Sequence, residues 1–297
     1  MIHLFHKTNA EGERASGPLL RVEHVSKAFD KPVLRDVSIH VDKGETLAVL
    51  GKSGTGKSVL LKLIVGLLQP ESGEIFYKDK EVTKLNEEEL MELRGSIGFL
   101  FQGSALFDSM TVGENLDLFL TKHTDMEPED REQKIVEALN MVNLKDAVDK
   151  MPSELSGGMK KRAGLARSIV LEPELMLYDE PTTGLDPLTA ASIAELILTL
   201  QRRLGIASIV VTHDLPTAFT VADRAVVLNE GYAVFEGDLD TLHDTTDEFL
   251  RDYLSASRLD RSRRERILAA RDNVRAANQP GITGKQTKTT GKQTSPA

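Results

Sequence analysis

Eight residues in the first quarter of the chain have the types and spacing of a phosphate-binding loop. They match the pattern G-x-x-x-x-G-K-[ST] and are Gly51, Lys52, Ser53, Gly54, Thr55, Gly56, Lys57 and Ser58. Glycines let the backbone wrap so that successive N–H groups point into one concavity and hold phosphate oxygens. Lys57 can reach the β- and γ-phosphates, and the Ser58 hydroxyl can ligate Mg²⁺. The pattern therefore predicts binding of a nucleoside triphosphate with magnesium.

Two carboxylates follow an apolar run later in the chain. Residues 175–178 read LMLY, and Asp179 and Glu180 come next. In a parallel sheet, ligands bind beyond the carboxyl ends of the strands, so Asp179 is expected to face the metal held by Ser58, through its water shell. Glu180 can orient or deprotonate an attacking water. Two carboxylates behind a phosphate loop indicate hydrolysis rather than nucleotide sensing alone.

A second glycine turn precedes another predicted helix. Ser156, Gly157 and Gly158 can form an anion site at the start of that helix. One chain does not need two such sites for one triphosphate, whereas two copies arranged head to tail would use both. The motif therefore predicts a symmetric dimer with two nucleotide sites. The basic residues 160–162, and also Arg94, are interpreted as solvated faces.

The elements around these motifs alternate between strands and helices. Strands are predicted at 19–25, 33–41, 46–50, 75–77, 97–101, 175–178, 208–212, 225–228 and 232–235. Helices are predicted at 57–67, 112–120, 128–142, 157–170 and 188–204. The pattern favours an α/β fold with a mainly parallel sheet, an antiparallel β lobe near the start and a helical subdomain at about 103–171.

Composition and charge set limits on the class of protein. The 297 residues carry a net charge of −9. They contain no Cys, and this absence excludes disulfide scaffolds and thiolate metal sites. Residues 258–297 carry a net charge of +7, so residues 1–257 carry a net charge of −16. We expect a flexible segment at 1–18, a single domain at 19–257, a charged helical extension at 258–279 and a disordered basic tail at 280–297. No stretch is long and apolar enough for a membrane span.

The full set of motifs resembles the ATP-binding subunit of ABC transporters. The LSGG sequence at 155–158, the LYDEP sequence at 177–181 and the GLD sequence at 184–186 occur in that family's order. Gln102 matches its glutamine loop, His213 its switch histidine and Phe29 its adenine-stacking aromatic residue. The sequences FQGSALFDSMTVGENL at 101–116 and MPSELSGGM at 151–159 resemble more closely the ATPase of Mla-type, MCE-associated phospholipid transport systems.

This resemblance implies a P-loop NTPase fold of the ABC cassette type and a set of roles. It implies ATP and Mg²⁺ as ligands, Ser58, Gln102 and Asp179 at the metal, Glu180 as base and His213 at the γ-phosphate. Asp186 belongs to the nucleotide-binding set. The implied partners are a second copy of the chain, membrane permease subunits, an MCE-type lipid-binding protein and a small STAS-domain regulator, on the cytoplasmic face of the inner membrane. Leu106, Phe107 and Met110 are expected to form a docking groove for the permease.

Three alternatives remain open from the sequence. The chain could serve another ABC importer, such as one for an amino acid. It could be a soluble ABC-type protein acting on nucleic acid, which the acidic body and the single motif set argue against, so no nucleic-acid partner is expected. It could also bind nucleotide without turnover, which a Glu180→Gln variant would test.

Overall fold

The computed structural model describes residues 17–256, 267–269, 271 and 273. The predicted flexible segment at 1–18 lies almost wholly outside the described residues, as does the predicted disordered tail at 280–297. Within the described part of the chain, no helix combines the length and the apolar character needed to cross a bilayer.

The described part of the chain contains ten strands and nine α-helices, together with short 3-10 helices at Val82–Lys84, Lys145–Ala147 and Pro152–Glu154. The strands are β1 (Leu20–Ala28), β2 (Pro32–Val41), β3 (Thr46–Leu50), β4 (Ser72–Tyr77), β5 (Lys80–Glu81), β6 (Ile97–Leu100), β7 (Leu175–Asp179), β8 (Ala207–Thr212), β9 (Arg224–Asn229) and β10 (Tyr232–Asp238). The helices are α1 (Lys57–Ile64), α2 (Glu87–Ser96), α3 (Val112–His123), α4 (Pro128–Met141), α5 (Gly157–Ile169), α6 (Pro187–Leu204), α7 (Leu215–Val221), α8 (Leu239–His243) and α9 (Glu248–Ala256).

Two sheets form the framework, as the sequence predicted. The larger has the order β10-β9-β3-β8-β7-β6, in which all neighbours are parallel except the β9–β10 pair at one edge. The smaller has the order β2-β1-β4-β5 and is antiparallel. Because β3, β7 and β8 are adjacent and parallel, the residues that follow them meet at one edge of the sheet. That edge carries the phosphate loop, the two carboxylates and His213.

The central strands are buried along their whole length because both faces of the sheet are covered. Every residue of β3, β7 and β8 is buried. One face of the larger sheet packs against α5, α6 and α7, and the other packs against α1 and the smaller sheet. These two apolar clusters hold the strand ends in fixed positions, which a site built from several strands requires.

The predicted helical subdomain corresponds to α3, α4 and α5. The side chain of Asn115 is fully buried at its start and fastens the segment before α3. Its amide donates to the carbonyls of Phe107, Met110 and Thr111, and its carbonyl accepts the Phe107 N–H at 2.8 Å. The loop that leads from β6 into this subdomain is therefore fixed by a buried polar residue.

Two differences from the sequence-based prediction have local causes. The helix predicted at 57–67 ends at Ile64, because Gly66 adopts a left-handed φ of 65° and Arg94 donates to the carbonyls of Val65 and Gly66. The prediction that Arg94 is solvated was therefore wrong. The helices α2, α7, α8 and α9 were not predicted. They are short, with ten residues at most, so each shows too few turns for a clear helical pattern in the sequence.

Residues within the predicted helical extension at 258–279 are helical at 267–269, 271 and 273. Ile267 packs against the apolar cluster of the domain, and the Arg271 guanidinium donates to the carbonyl of Ala222 at 3.2 Å. These described residues therefore lie on the body of their own chain.

Candidate active site

The phosphate loop at 51–58 joins buried strand β3 to helix α1, as the motif requires. Gly51 has a φ of 152°, and a Cβ at that position would lie 2.5 Å from the carbonyl oxygen of Leu228. Gly56 caps α1 with a φ of 95°, and its Cβ would lie 2.6 Å from a methyl group of Leu34. Both positions therefore require glycine. The amino end of α1 then points its N–H groups toward the loop cavity, where phosphate can bind.

Lys57 is the buried cation of this loop. Its ammonium donates to the carbonyls of Gly51 at 2.9 Å and Lys52 at 3.0 Å, and it lies 3.8 Å from a carboxylate oxygen of Glu180. Burial lowers the pKa of Lys57, while the charges of Glu180 and Asp179 oppose that shift. The ammonium thus lies between the phosphate loop and the carboxylates of Glu180 and Asp179, and it partly neutralises their negative charge.

Ser58 and Asp179 are brought together from α1 and β7. The Ser58 hydroxyl donates to a carboxylate oxygen of Asp179 at 2.8 Å. Burial raises the pKa of Asp179, and the hydrogen bond from Ser58 opposes that rise. A buried carboxylate beside a hydroxyl is the kind of hard oxygen pair that Mg²⁺ selects, so the residues present fit that ion.

Glu180 is held in one orientation by three other side chains. Its carboxylate lies 2.9 Å from Nδ1 of His213 and accepts hydrogen bonds from Thr183 at 3.1 Å and Thr212 at 3.3 Å. Glu180 also has a left-handed φ of 48°, which costs energy for a residue with a Cβ. These contacts fix the Glu180 carboxylate beside Lys57. A carboxylate held in this way can bind and orient a water molecule for attack.

Other predicted site residues lie apart from this cluster. The ring of Phe29 is 59% exposed and lies under the ammonium of Lys27. Ser156 is exposed and caps α5 through the N–H of Met159, and Gly157 beside it is exposed too. Asp186 caps α6 by accepting hydrogen bonds from the Thr189 hydroxyl and from the N–H groups of Thr189 and Leu188, and the hydroxyl contributes most to lowering its pKa. Asp186 followed by Pro187 is a typical signal for a helix start, although the sequence-based prediction assigned Asp186 only to nucleotide binding. Exposure of these residues is compatible with their meeting a second copy of the chain.

The prediction that residues 160–162 form a solvated face was wrong for two of the three. Lys161 is only 4% exposed and donates to the carbonyls of Gln102 and Glu180. Burial lowers its pKa, while Asp179 and Glu180 raise it. Arg162 donates to the Val142 carbonyl and to the hydroxyl of Ser192. The only sequence signal was their place on a helix whose other residues are mostly small and apolar.

A tyrosine from helix α9 contacts the phosphate loop. The hydroxyl of Tyr253 accepts the N–H of Gly51 at 3.1 Å, and burial raises the pKa of Tyr253 to about 12. Phe249, one turn earlier, stacks on Tyr253 and lies under the ammonium of Lys52. This contact could not be predicted from the sequence because 202 residues separate its two partners.

We expect Tyr253→Phe to lower the free energy of unfolding of the nucleotide-free chain by about 1–3 kcal/mol, because the buried N–H of Gly51 would lose its acceptor. Urea denaturation followed by circular dichroism measures this. Tyr232→Phe is the matched control, since the Tyr232 ring is 48% exposed. Equal unfolding free energies for the two variants would show that the hydroxyl of Tyr253 contributes nothing to holding the loop.

Comparison with known proteins places these motifs in one family. The family model described as "ABC transporter" matches residues 34–183. Two bacterial relatives are similar over most of the chain. The intermembrane phospholipid transport system ATP-binding protein MlaF of Haemophilus influenzae is 38% identical over 77% of this chain and 87% of that protein. The probable ribonucleotide transport ATP-binding protein mkl of Mycobacterium leprae is 36% identical over 84% and 72%.

Two further similarities bear on function. The methionine import ATP-binding protein MetN of Carboxydothermus hydrogenoformans is 38% identical over 74% of this chain and 66% of that protein. Among solved structures, a dimeric ATP-binding cassette in a post-hydrolysis state, bound to ADP and Pi, superposes with a TM-score of 0.68. It is 31% identical, over 74% of this chain and 98% of the other.

Proposed function

This chain belongs to the ABC transporter family and is an ATP-hydrolysing subunit, and from that premise we propose that it powers phospholipid movement between membranes. The observation that carries the ATPase part is the convergence of Lys57, Ser58, Asp179 and Glu180 at one sheet edge. The phospholipid part is supported by the extent of similarity to MlaF, which covers 87% of that relative against 66% of MetN. Met159 after LSGG also follows the Mla-type pattern.

We assign the residues of one site as follows. Lys57 and the amides of the phosphate loop hold the phosphates, and Phe29 stacks on adenine. Ser58, Gln102 and Asp179 hold Mg²⁺, which would neutralise phosphate charge. These assignments rest on the geometry of the Ser58–Asp179 pair and on the family resemblance.

Glu180 accepts the proton of the attacking water, and His213 orients Glu180 and faces the γ-phosphate. The 2.9 Å contact between them supports this pairing. Phosphoryl transfer depends mainly on positioning and on stabilising charge, so the clamped carboxylate and the buried ammonium of Lys57 are the parts this chain must supply.

The second copy of the chain supplies the rest of each site. Ser156, Gly157 and Gly158 are exposed or half-buried at the start of α5, which supports their binding the nucleotide of a partner. Leu185 and Thr189 lie against the two glycines, so Asp186 belongs to the same interface. The dimeric cassette bound to ADP and Pi supports this arrangement. ATP binding then closes the dimer, and hydrolysis followed by product release opens it.

An apolar groove offers a docking place for membrane permease subunits on the cytoplasmic side. A cavity of about 210 Å³ lies between the segment that follows α1, the end of α2, β6 and the helical subdomain, at the start of the loop that carries Gln102. The apolar side chains that line it are Val65, Leu67, Ile97, Phe99, Phe101, Phe119, Leu171 and Pro173. Leu67 is 51% exposed there. The residues 106, 107 and 110 expected to dock the permease do not line this cavity.

Affinity purification of the complete complex from its native membrane tests the proposal. We expect a permease and an MCE-type lipid-binding protein to co-purify, with a STAS-domain regulator. Co-purification with an amino-acid receptor system would instead favour the importer that the similarity to MetN suggests.

The same purification tests the groove. We expect Leu67→Asp to reduce permease recovery at least about tenfold, because a charge in an apolar contact must be desolvated. Met91→Asp is the matched control, since Met91 is 49% exposed on α2 and does not line the groove. Equal recovery with both variants would exclude the groove as the docking place.

A further inference from the structure

Lys161 is a buried cation that the roles assigned above do not use. It lies in the second turn of α5, the helix that Ser156 caps, and only 4% of its surface is exposed. Its ammonium donates to the backbone carbonyl of Gln102 and, at 3.4 Å, to the backbone carbonyl of Glu180. One side chain thus joins the helix to the two segments that would hold the metal and the attacking water.

A buried ammonium is costly to keep, so packing alone does not explain it. Methionine would fill a similar volume without desolvating a charge, and replacing buried charges by apolar groups is often neutral or stabilising. The neighbouring cluster of Asp179 and Glu180 supplies the compensating negative charge. The charge is therefore kept where it can interact with the catalytic carboxylates and with the loop at Gln102.

A second cation on the same helix holds the same loop. Arg167, 5% exposed, donates to the carbonyls of Ser104 at 3.1 Å and Ala105 at 2.6 Å. Ser104 and Ala105 both have left-handed φ angles, of 62° and 47°. The segment after Gln102 is thus held by α5 in a strained shape.

We propose that Lys161 is a positioning residue that links the two nucleotide sites of the dimer. It fixes the backbone of Gln102 and Glu180, which serve the site in its own chain, to the helix whose first turn serves the partner's site. Nucleotide binding that shifts the Gln102 loop then shifts Ser156 as well. This inference rests on the proposed dimer, because only in a dimer does α5 contact a second nucleotide.

The test compares Lys161→Met and Lys161→Arg in the full chain by steady-state ATP hydrolysis. For the Met variant we expect kcat to fall about tenfold, with the KM for ATP within threefold, because charge-assisted hydrogen bonds to the machinery are lost while nucleotide contacts stay. Because the proposed dimer couples two sites, we expect a Hill coefficient above 1 for the wild type and a value closer to 1 for the Met variant. The Arg variant keeps the donors, so we expect it to retain at least about a third of wild-type kcat.

The controls separate positioning from folding. Lys145→Met removes an exposed lysine of the helical subdomain and should leave kcat unchanged. If Lys161→Met does not fold, Lys161→Gln takes its place, since Gln keeps donors without the charge, and its kcat should fall by at least about threefold. The proposal would be overturned if the Lys161→Met variant had the kcat and Hill coefficient of the wild type. Where Lys161→Gln replaces it, the same result in that variant would overturn the proposal. So would a fall in thermal stability that accounts for all the lost activity in both Met and Arg variants.

A Glu180→Gln chain that forms no dimer with ATP, measured by light scattering, would count against the proposed dimer itself. If that dimer forms and the Lys161 variant still behaves as wild type, only the role of Lys161 fails.

Discussion

Glu180→Gln is expected to lower the rate of ATP hydrolysis by about 10²- to 10⁴-fold, the range of a lost general base. Gln has nearly the same shape, so it can keep hydrogen bonds to Thr183 and Thr212, but it cannot accept the proton of an attacking water. Removing the negative charge 3.8 Å from Lys57 also removes a repulsion toward the γ-phosphate. We therefore expect ATP to stay bound and the dimer to stay closed. Phosphate release and light scattering with ATP measure the two effects.

The matched control for this variant is Glu195→Gln, an exposed glutamate on α6. It should hydrolyse ATP at the wild-type rate and dimerise only transiently. If the Glu180 variant turned over ATP normally, Glu180 could not be the base. If it bound ATP without dimerising, the assignment of Ser156 and the following glycines to a partner's site would fail.

Much of the fold could be predicted because it depends on local pattern. The run 46–50 is apolar after Thr46 and lies before a glycine, and it forms strand β3, buried at every residue. The same reasoning placed Asp179 and Glu180 at the end of β7 and His213 after β8. Since parallel neighbouring strands end at one edge, their convergence followed from topology rather than from any single residue.

The contacts that could not be predicted are those between residues far apart in the chain. Lys161 reads as one of three basic residues on a helix, and only the approach of the Gln102 loop, 59 residues away, makes it buried. Nothing in the local sequence distinguishes Tyr253 from other aromatic residues. Its hydroxyl reaches the N–H of Gly51 because of the way α9 packs. Side-chain periodicity describes which face of an element is covered, but not which backbone group the covered side chain meets.

Asp179→Asn is expected to have opposite effects on activity and on stability. Hydrolysis should fall about 10- to 100-fold, because Asn still accepts the Ser58 hydrogen bond but brings no charge to the metal site. Phosphate release at saturating ATP and Mg²⁺ measures this. Asp149→Asn, at an exposed position, is the control and should keep full activity. Full activity in the Asp179 variant would remove this residue from the metal site.

The stability effect follows from the raised pKa of Asp179, whose main cause is burial. A carboxyl whose pKa is raised by folding binds its proton more tightly in the folded state, so ionised Asp179 destabilises the nucleotide-free protein at neutral pH, and that cost is relieved as the pH falls through the raised pKa. Asn carries no charge to desolvate. The variant should therefore unfold at higher urea concentration than wild type at pH 7, with a smaller difference at pH 5. A variant less stable than wild type at pH 7 would contradict this prediction. It would show that attraction to Lys57 and Lys161 outweighs the cost of desolvating the Asp179 carboxylate in the nucleotide-free protein.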